Sequence, residues 1–209
     1  MSQLTREGPL PSAADAGELL HAEHVDLSKT ARGGQEPVDM GRLLTEIAET
    51  YAATAGEQDA NVVFEGPPPP GAYVLGQEGP LGQVFRNLID NARSFSPPGG
   101  TVKISLHLLL RRDGRWLQAK VEDQGPGIPA DNLEAIFRRF YTDRPKGAAF
   151  GRNSGLGLSI ARQIVEAHHG RIWAENIGQN ANAPNAQGSL GNRGARLIVE
   201  LPAAKEQSR

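Results

Sequence analysis

From Pro37 the chain settles into a helical rhythm. Met40, Leu43, Leu44, Ile47, Ala48 and Tyr51 recur three and four apart, which predicts an amphipathic helix ending near Ala55 and Gly56. Leu81, Val84, Phe85, Leu88, Ile89 and Ala92 form a second stripe. Asn87 and Asn91, four apart and off that stripe, share another face of the same helix. A third helix is predicted from Gly155 to His168, with Leu158, Ala161, Ile164 and Val165 inward. Elsewhere the period is two. The runs 101–110 and 115–122 alternate around Arg112-Asp113-Gly114 and predict an antiparallel hairpin with Asp123 at its exit. Runs 62–65 and 72–75 flank Gly66 and four prolines and read as two edge strands around a rigid turn. Two last strands are expected at 171–175 and 195–201, a short helical piece at 132–141, and loops at 142–153 and 177–194, the latter mobile. Residues 1–36 hold only a brief apolar hint at Leu19 and Leu20 and read as a flexible extension with a short helix near 14–27. The pattern predicts an α/β fold: a two-layer sandwich of a mixed, mostly antiparallel sheet and helices over residues 37–203, with a tail at 204–209.

Composition narrows the function without naming it. The 209 residues hold 22 Lys and Arg against 24 Asp and Glu, a formal net charge of -2, and no cysteine. That balance argues against a nucleic-acid partner, and the absence of cysteine removes disulfides and thiolate metal sites and suits a cytoplasmic setting. No apolar run approaches the roughly 18 to 20 residues of a membrane helix, so the chain as given is not expected to span one.

Three runs carry chemistry. In "DQGPGIP", Asp123 sits at a strand end before Gly125 and Gly127, where a carboxylate can accept from the exocyclic amine of adenine and the glycines leave room for a flat ring. An ordinary turn after a hairpin fits the same residues. In "NLIDNARSF", Asn87 and Asn91 present neutral oxygens suited to Mg²⁺ already charge-balanced by a triphosphate, Asn91 being the better ligand candidate; a structural pair of amides is the other reading. In "NSGLGLSIARQI", Gly155, Leu156 and Gly157 open a helix whose free N–H groups suit phosphate oxygens. A plain helix entry capped by Ser154 fits equally. The run is neither a Walker loop nor a dinucleotide fingerprint. Arg138, Arg139, Arg144, Lys146 and Arg152 surround the preceding loop, as phosphate clamps or solvated charges. His168 and His169 end the helix, where a cap-like role is expected.

Taken in order, these runs resemble the catalytic and ATP-binding domain of bacterial sensor histidine kinases, within the superfamily that includes gyrase, heat-shock chaperone and mismatch-repair ATPases (GHKL). The resemblance covers about Pro37 to Pro202: "QVFRNLIDNA" is similar to the N box, "DQGPGIP" to the first glycine box, "IFRRFY" to the phenylalanine box, "NSGLGLSIARQIVEAHHGRIWAEN" to the second glycine box and its strand, and "GARLIVELP" to the closing strand. "NLIDNARSFSPPGG" resembles the ChvG type of envelope-stress sensor. The resemblance implies the Bergerat ATP-binding fold, with ATP and Mg²⁺ as cofactors. It implies Asn91 as the Mg²⁺ ligand beside Asn87, Asp123 as acceptor from the adenine amine, and Gly125, Gly127 and Ile128 shaping the base pocket. Arg139 approaches the phosphates, Phe137 and Phe140 anchor a lid running from Tyr141 to Asn153, and Ser154, Gly155, Leu156, Gly157 and Leu158 form the phosphate-side turn. The same resemblance implies catalytic roles for Asn87 and Arg139.

Two departures stand out. Ser94 occupies a position where many members of that family carry Lys or Arg, leaving Arg93 as the candidate phosphate contact, and His169 stands where Gly is common. His21, His24, His107, His168 and His169 all lack the phosphoacceptor context of His, then an acid, then Pro. The resemblance therefore implies a kinase domain passing the γ-phosphate of Mg-ATP to a histidine on a separate dimerisation domain, with a response regulator downstream, as the cytoplasmic part of an inner-membrane sensor. Two alternatives stay open at this stage: an anti-sigma-type protein serine kinase, for which an acid is expected in place of Asn87, and a nucleotide-binding phosphotransfer module without autokinase activity. Gyrase-like or chaperone-like hydrolysis also requires Glu at the position of Asn87.

Overall fold

The computed structural model describes residues 35–141, 155–178 and 194–204. The expected helix at 14–27, Ser154, Arg144, Lys146, Arg152, the lid beyond Tyr141 and most of the 177–194 connection lie outside the described residues.

Strand β1 (Glu36–Asp39) leads directly into helix α1 (Met40–Thr54). The Asp39 carboxylate caps α1 by accepting the Arg42 N–H at 3.0 Å, and the predicted stripe buries Met40, Leu43, Leu44, Ile47 and Ala48. Helix α2 (Glu78–Phe95) buries Leu81, Val84, Phe85, Leu88, Ile89 and Ala92 so completely that each is 0% exposed. Helix α3 (Gly157–Ala167) contributes Ala161, Ile164 and Val165.

These faces share a core with one face of a five-stranded sheet ordered β2 (Asn61–Phe64), β4 (Thr101–Arg111), β5 (Gly114–Glu122), β7 (Ala195–Pro202) and β6 (Arg171–Asn176). Val102, Ile104, Leu117, Ala119, Val121, Leu197, Val199 and Ile172 alternate inward along their strands and join the helices' apolar residues in that core. Only β2 and β4 run parallel; the other neighbours are antiparallel.

The two proline-flanked strands are edge strands, as expected, but they belong to different sheets. β2 and β3 (Tyr73–Gly76) do not pair with each other. β2 joins the main sheet through β4, whereas β3 pairs antiparallel with β1 in a separate two-stranded sheet. A parallel β2/β4 pair needs a long crossover, and β3 and α2 fill it. The helical piece expected at 132–141 is two short 3₁₀ turns, Ala130–Asn132 and Ala135–Phe137, the second inserting Phe137 into the core at 3% exposure.

On the opposite face of the sheet Glu200, 1% exposed, accepts from Arg111 at 2.5 and 3.0 Å, from Gln118 at 2.8 Å and from Arg171 at 3.2 Å. α3 ends in a Schellman turn: Gly170 N–H donates to the Val165 carbonyl and His169 N–H to the Glu166 carbonyl, both at 2.9 Å, with His169 left-handed at φ 59°. Among the described residues no helix is long and apolar enough to cross a membrane.

Candidate functional site

Strand β5 delivers Asp123 into the interior, 6% exposed. Its Oδ1 accepts two backbone hydrogen bonds, from Gly125 at 2.8 Å and Ala195 at 3.0 Å. Oδ2 takes no hydrogen bond among the described residues and remains an available acceptor. Burial raises the Asp123 carboxyl above its ordinary value, opposed by those two N–H groups. Gly125 is required here, because a Cβ would lie 2.7 Å from the Phe95 carbonyl oxygen and 2.9 Å from Asp123 Oδ1. Gly127 adopts φ 84°.

Helix α2 connects this end of the site to the other. Its last residue, Phe95, abuts Gly125, and two turns earlier Asn87 Nδ2 donates to the Gly157 carbonyl at 3.0 Å. Asn91 falls midway along that stretch of about 12 Å. Asn91 is half-buried, and its side-chain amide makes no hydrogen bond among the described residues. A neutral amide oxygen in that position fits a Mg²⁺ that also contacts phosphates.

At the far end, α3 begins at Gly157 with no side-chain cap from Leu156; the Ile160 N–H to Leu156 carbonyl bond, 2.9 Å, opens its ladder. Among the described residues the first-turn N–H groups take no partner, which suits an anion aligned with the helix dipole. Leu158 packs against the core and Ser159 Oγ turns back to the Leu156 carbonyl. Gly155, at φ 72°, accepts the Phe140 N–H at 3.1 Å, and a Cβ there would stand 3.0 Å from the Tyr141 carbonyl. The residues on either side of the lid expected from the sequence thus meet, Phe140 against Gly155. Phe137 anchors this corner, with the Arg162 guanidinium 4.4 Å above its ring and paired to Glu134 at 2.5 Å. Phe140 is instead 67% exposed at φ 61°, so it does not anchor by burial. Arg138 and Arg139 are exposed, and Tyr141 is half-buried.

Arg93 departs from the phosphate role expected of it. Its guanidinium pairs with Asp59 at 2.8 Å and lies 5.2 Å from the Tyr51 ring, toward α1. The reason is helical phase: two residues past Asn91 is about 200° around α2. Ser94, at the position where a basic residue was expected, turns its hydroxyl back to the Asn91 carbonyl at 2.7 Å.

Two residues of the site were not anticipated. Gly194, at φ 62°, donates to the Gly125 carbonyl at 3.0 Å, and a Cβ on it would fall 2.0 Å from the Asp123 carbonyl oxygen. Asn176 bonds the Ile128 backbone through both ends of its amide, 2.7 Å each. Only the glycine preceding the last apolar strand hinted at the first; nothing local marks the second.

Among the described residues, a buried carboxylate with one oxygen unbonded, a helix start without a side-chain cap and an amide without a hydrogen-bond partner make up the candidate site. The family described as "Histidine kinase-, DNA gyrase B-, and HSP90-like ATPase" matches residues 76–205, and the chain belongs to it. Among curated proteins the chain is 41% identical over 192 residues to Sensor protein ChvG of Rhizobium meliloti (strain 1021), covering 89% of this chain and 31% of that protein. It is 36% identical over 166 residues to the Signal transduction histidine-protein kinase/phosphatase MprB of Mycolicibacterium smegmatis, covering 78% of this chain and 31% of that protein. The chain thus spans about a third of the length of these relatives. Among solved structures, the mycobacterial sensor histidine kinase MprB superposes with TM-score 0.60 at 28% identity, covering 80% of this chain and 97% of that one. Full-length ShkA in complex with AMPPNP gives 0.64 at 25% identity, covering 93% of this chain and 38% of that one. The fold is that of histidine-kinase ATP-binding domains.

Proposed function

We propose that this chain binds Mg-ATP and presents its γ-phosphate to a histidine on a separate dimerisation domain, as the catalytic part of a two-component sensor kinase working on the cytoplasmic side of a membrane. The observation that carries the reading is Asp123: a buried carboxylate whose Oδ1 is fixed by two backbone donors and whose Oδ2 is left to accept from an exocyclic amine. The names of the relatives, sensor proteins and a histidine-protein kinase, support the same reaction.

Asp123 orients the base, Gly125, Gly127 and Ile128 border it, and the first turn of α3 offers N–H groups to phosphate oxygens. Asn91 is the Mg²⁺ ligand, with Asn87 beside it bracing α2 against α3. Bound Mg²⁺ supplies charge neutralisation on the phosphates. Arg139, exposed two residues before Tyr141, is the cation assigned to the γ-phosphate in this reading. In the transfer, the incoming imidazole nitrogen forms the P–N bond as the bond from phosphorus to the bridging oxygen breaks and ADP leaves. The chain's part is positioning and electrostatics. A response regulator takes the phosphoryl group onward.

Calorimetric titration of ATP with and without Mg²⁺ tests the site. Wild-type binding, lost in Asp123→Asn and made insensitive to Mg²⁺ in Asn91→Ala, is expected. Absence of wild-type binding overturns the reading. Transfer is then checked by adding the histidine-bearing dimerisation domain of the parent protein and following phosphohistidine formation from ATP.

A further inference from the structure

We propose that Asn176 is a positioning residue for base recognition, an inference that rests on the ATP reading above. Its amide does for the glycine loop what one more strand residue would do. Ile128 N–H donates to Asn176 Oδ1 and Asn176 Nδ2 donates to the Ile128 carbonyl, both at 2.7 Å. The fit is close, since a Cβ on the adjacent Gly127 would lie 2.8 Å from Asn176 Oδ1.

The geometry ties this clamp to Asp123 by two routes. Along the loop, Gly125 N–H fixes Asp123 Oδ1, so the carboxylate is referenced to a segment whose other end Asn176 holds. Across the sheet, Asn176 is the register partner of Ala195, whose N–H is the second donor to Oδ1. Between Gly125 and Ile128 the loop's bonds to other parts of the described chain are those to Asp123, to Gly194 and to Asn176. Removing the Asn176 amide frees one end of the loop while leaving the core, the α3 start and Asn91 untouched. The consequence is local: the Oδ2 acceptor loses its fixed direction, and the purine loses a fixed border at Ile128.

A residue that only stabilises the fold would weaken all nucleotides alike, so the discriminating quantity is a ratio. Calorimetry on the full chain with Mg²⁺ compares ATP with purine riboside triphosphate, which lacks the 6-amine. The wild type is expected to prefer ATP by about tenfold or more, as a site built to pair a buried polar group does. Asn176→Ala is expected to weaken ATP about tenfold and bring the ratio below about two, with the ligand-free melting temperature lower by no more than a few degrees. Asn176→Ser, which retains one hydroxyl, is expected to fall between and serves as the second variant if the alanine variant unfolds.

Equal losses for both nucleotides, an unchanged ratio, or unfolding of both variants without nucleotide overturns the proposal. Failure of the two readings is distinguishable. A wild type that binds neither nucleotide, or does not discriminate, removes the ATP reading together with this one. Discrimination lost in Asp123→Asn but kept in both Asn176 variants removes this one alone.

Discussion

Asn87 Nδ2 donates to the carbonyl oxygen of Gly157 at 3.0 Å, joining the middle of α2 to the first residue of α3 across 70 positions of sequence. The bond fixes where the uncapped helix start lies relative to Asn91, one turn further along α2.

Substitution at Asn87 should therefore act on stability as well as on nucleotide. Asn87→Asp turns a donor into a charged acceptor facing a carbonyl and is expected to cost about 2 kcal/mol in the ligand-free chain; Asn87→Ala should cost about 1. Urea unfolding at pH 7 measures both. An aspartate variant no less stable than the alanine variant contradicts the assigned bond.

Arg93 offers the opposite contrast. Its ion pair with a half-exposed Asp59 and its approach to Tyr51 together are worth about 1 kcal/mol. Arg93→Ala should lower stability by that amount while leaving ATP affinity within about twofold. A tenfold loss of affinity would return Arg93 to the phosphates.

The buried Asp123 couples stability to pH. Its carboxyl is raised above 3.8 by burial, so the unfolded chain releases this proton at lower pH than the folded one. Its contribution is then fully present below the unfolded value and is lost as pH rises through the folded one. Asp123→Asn removes that loss. Ligand-free, the variant should match the wild type in acid and exceed it increasingly as pH rises toward neutrality, read from urea midpoints across a pH series, although it no longer binds ATP. A variant less stable at pH 7 than at pH 4, relative to wild type, contradicts the assignment.

His169 sits left-handed at the end of α3, a conformation that costs a residue with a Cβ about 1 kcal/mol. His169→Gly should raise the melting temperature by about 2 °C, measured by scanning calorimetry. A decrease would show that the imidazole contributes more there than the backbone strain removes.

Gly194→Ala is expected to be severe, because its Cβ would sit 2.0 Å from the Asp123 carbonyl. A loss of about 3 kcal/mol or more, or failure to fold, is the outcome to look for by circular dichroism.

Much of this was legible along the chain. The stripes of α1, α2 and α3 are periodic over several turns, and burial follows the stripe, so Leu81 to Ala92 could be assigned inward before any partner was known. The β4/β5 hairpin is local, set by alternation and a short turn, and it carries Asp123 to its end. Strand partnership was not local. β2 and β3 look alike in sequence, short and proline-flanked, and only the crossover through α2 sends one to the main sheet and the other to β1. The side of α2 that Arg93 faces was readable from helical phase, yet Asp59 and Tyr51, which hold it there, come from elsewhere in the chain.

By itself, then, the sequence determined which residues are candidates for the chemistry, because the runs around Asp123, Asn91 and the glycine turns are recognisable by residue type and short-range spacing. The tertiary structure decided what holds them. Asn176 reaches the glycine loop from the end of β6 and Gly194 from the residue before β7, both distant in sequence, and Glu200 gathers Arg111, Gln118 and Arg171 from three other strands. Such contacts depend on sheet register, and register is a property of the packed molecule that no short window of sequence contains.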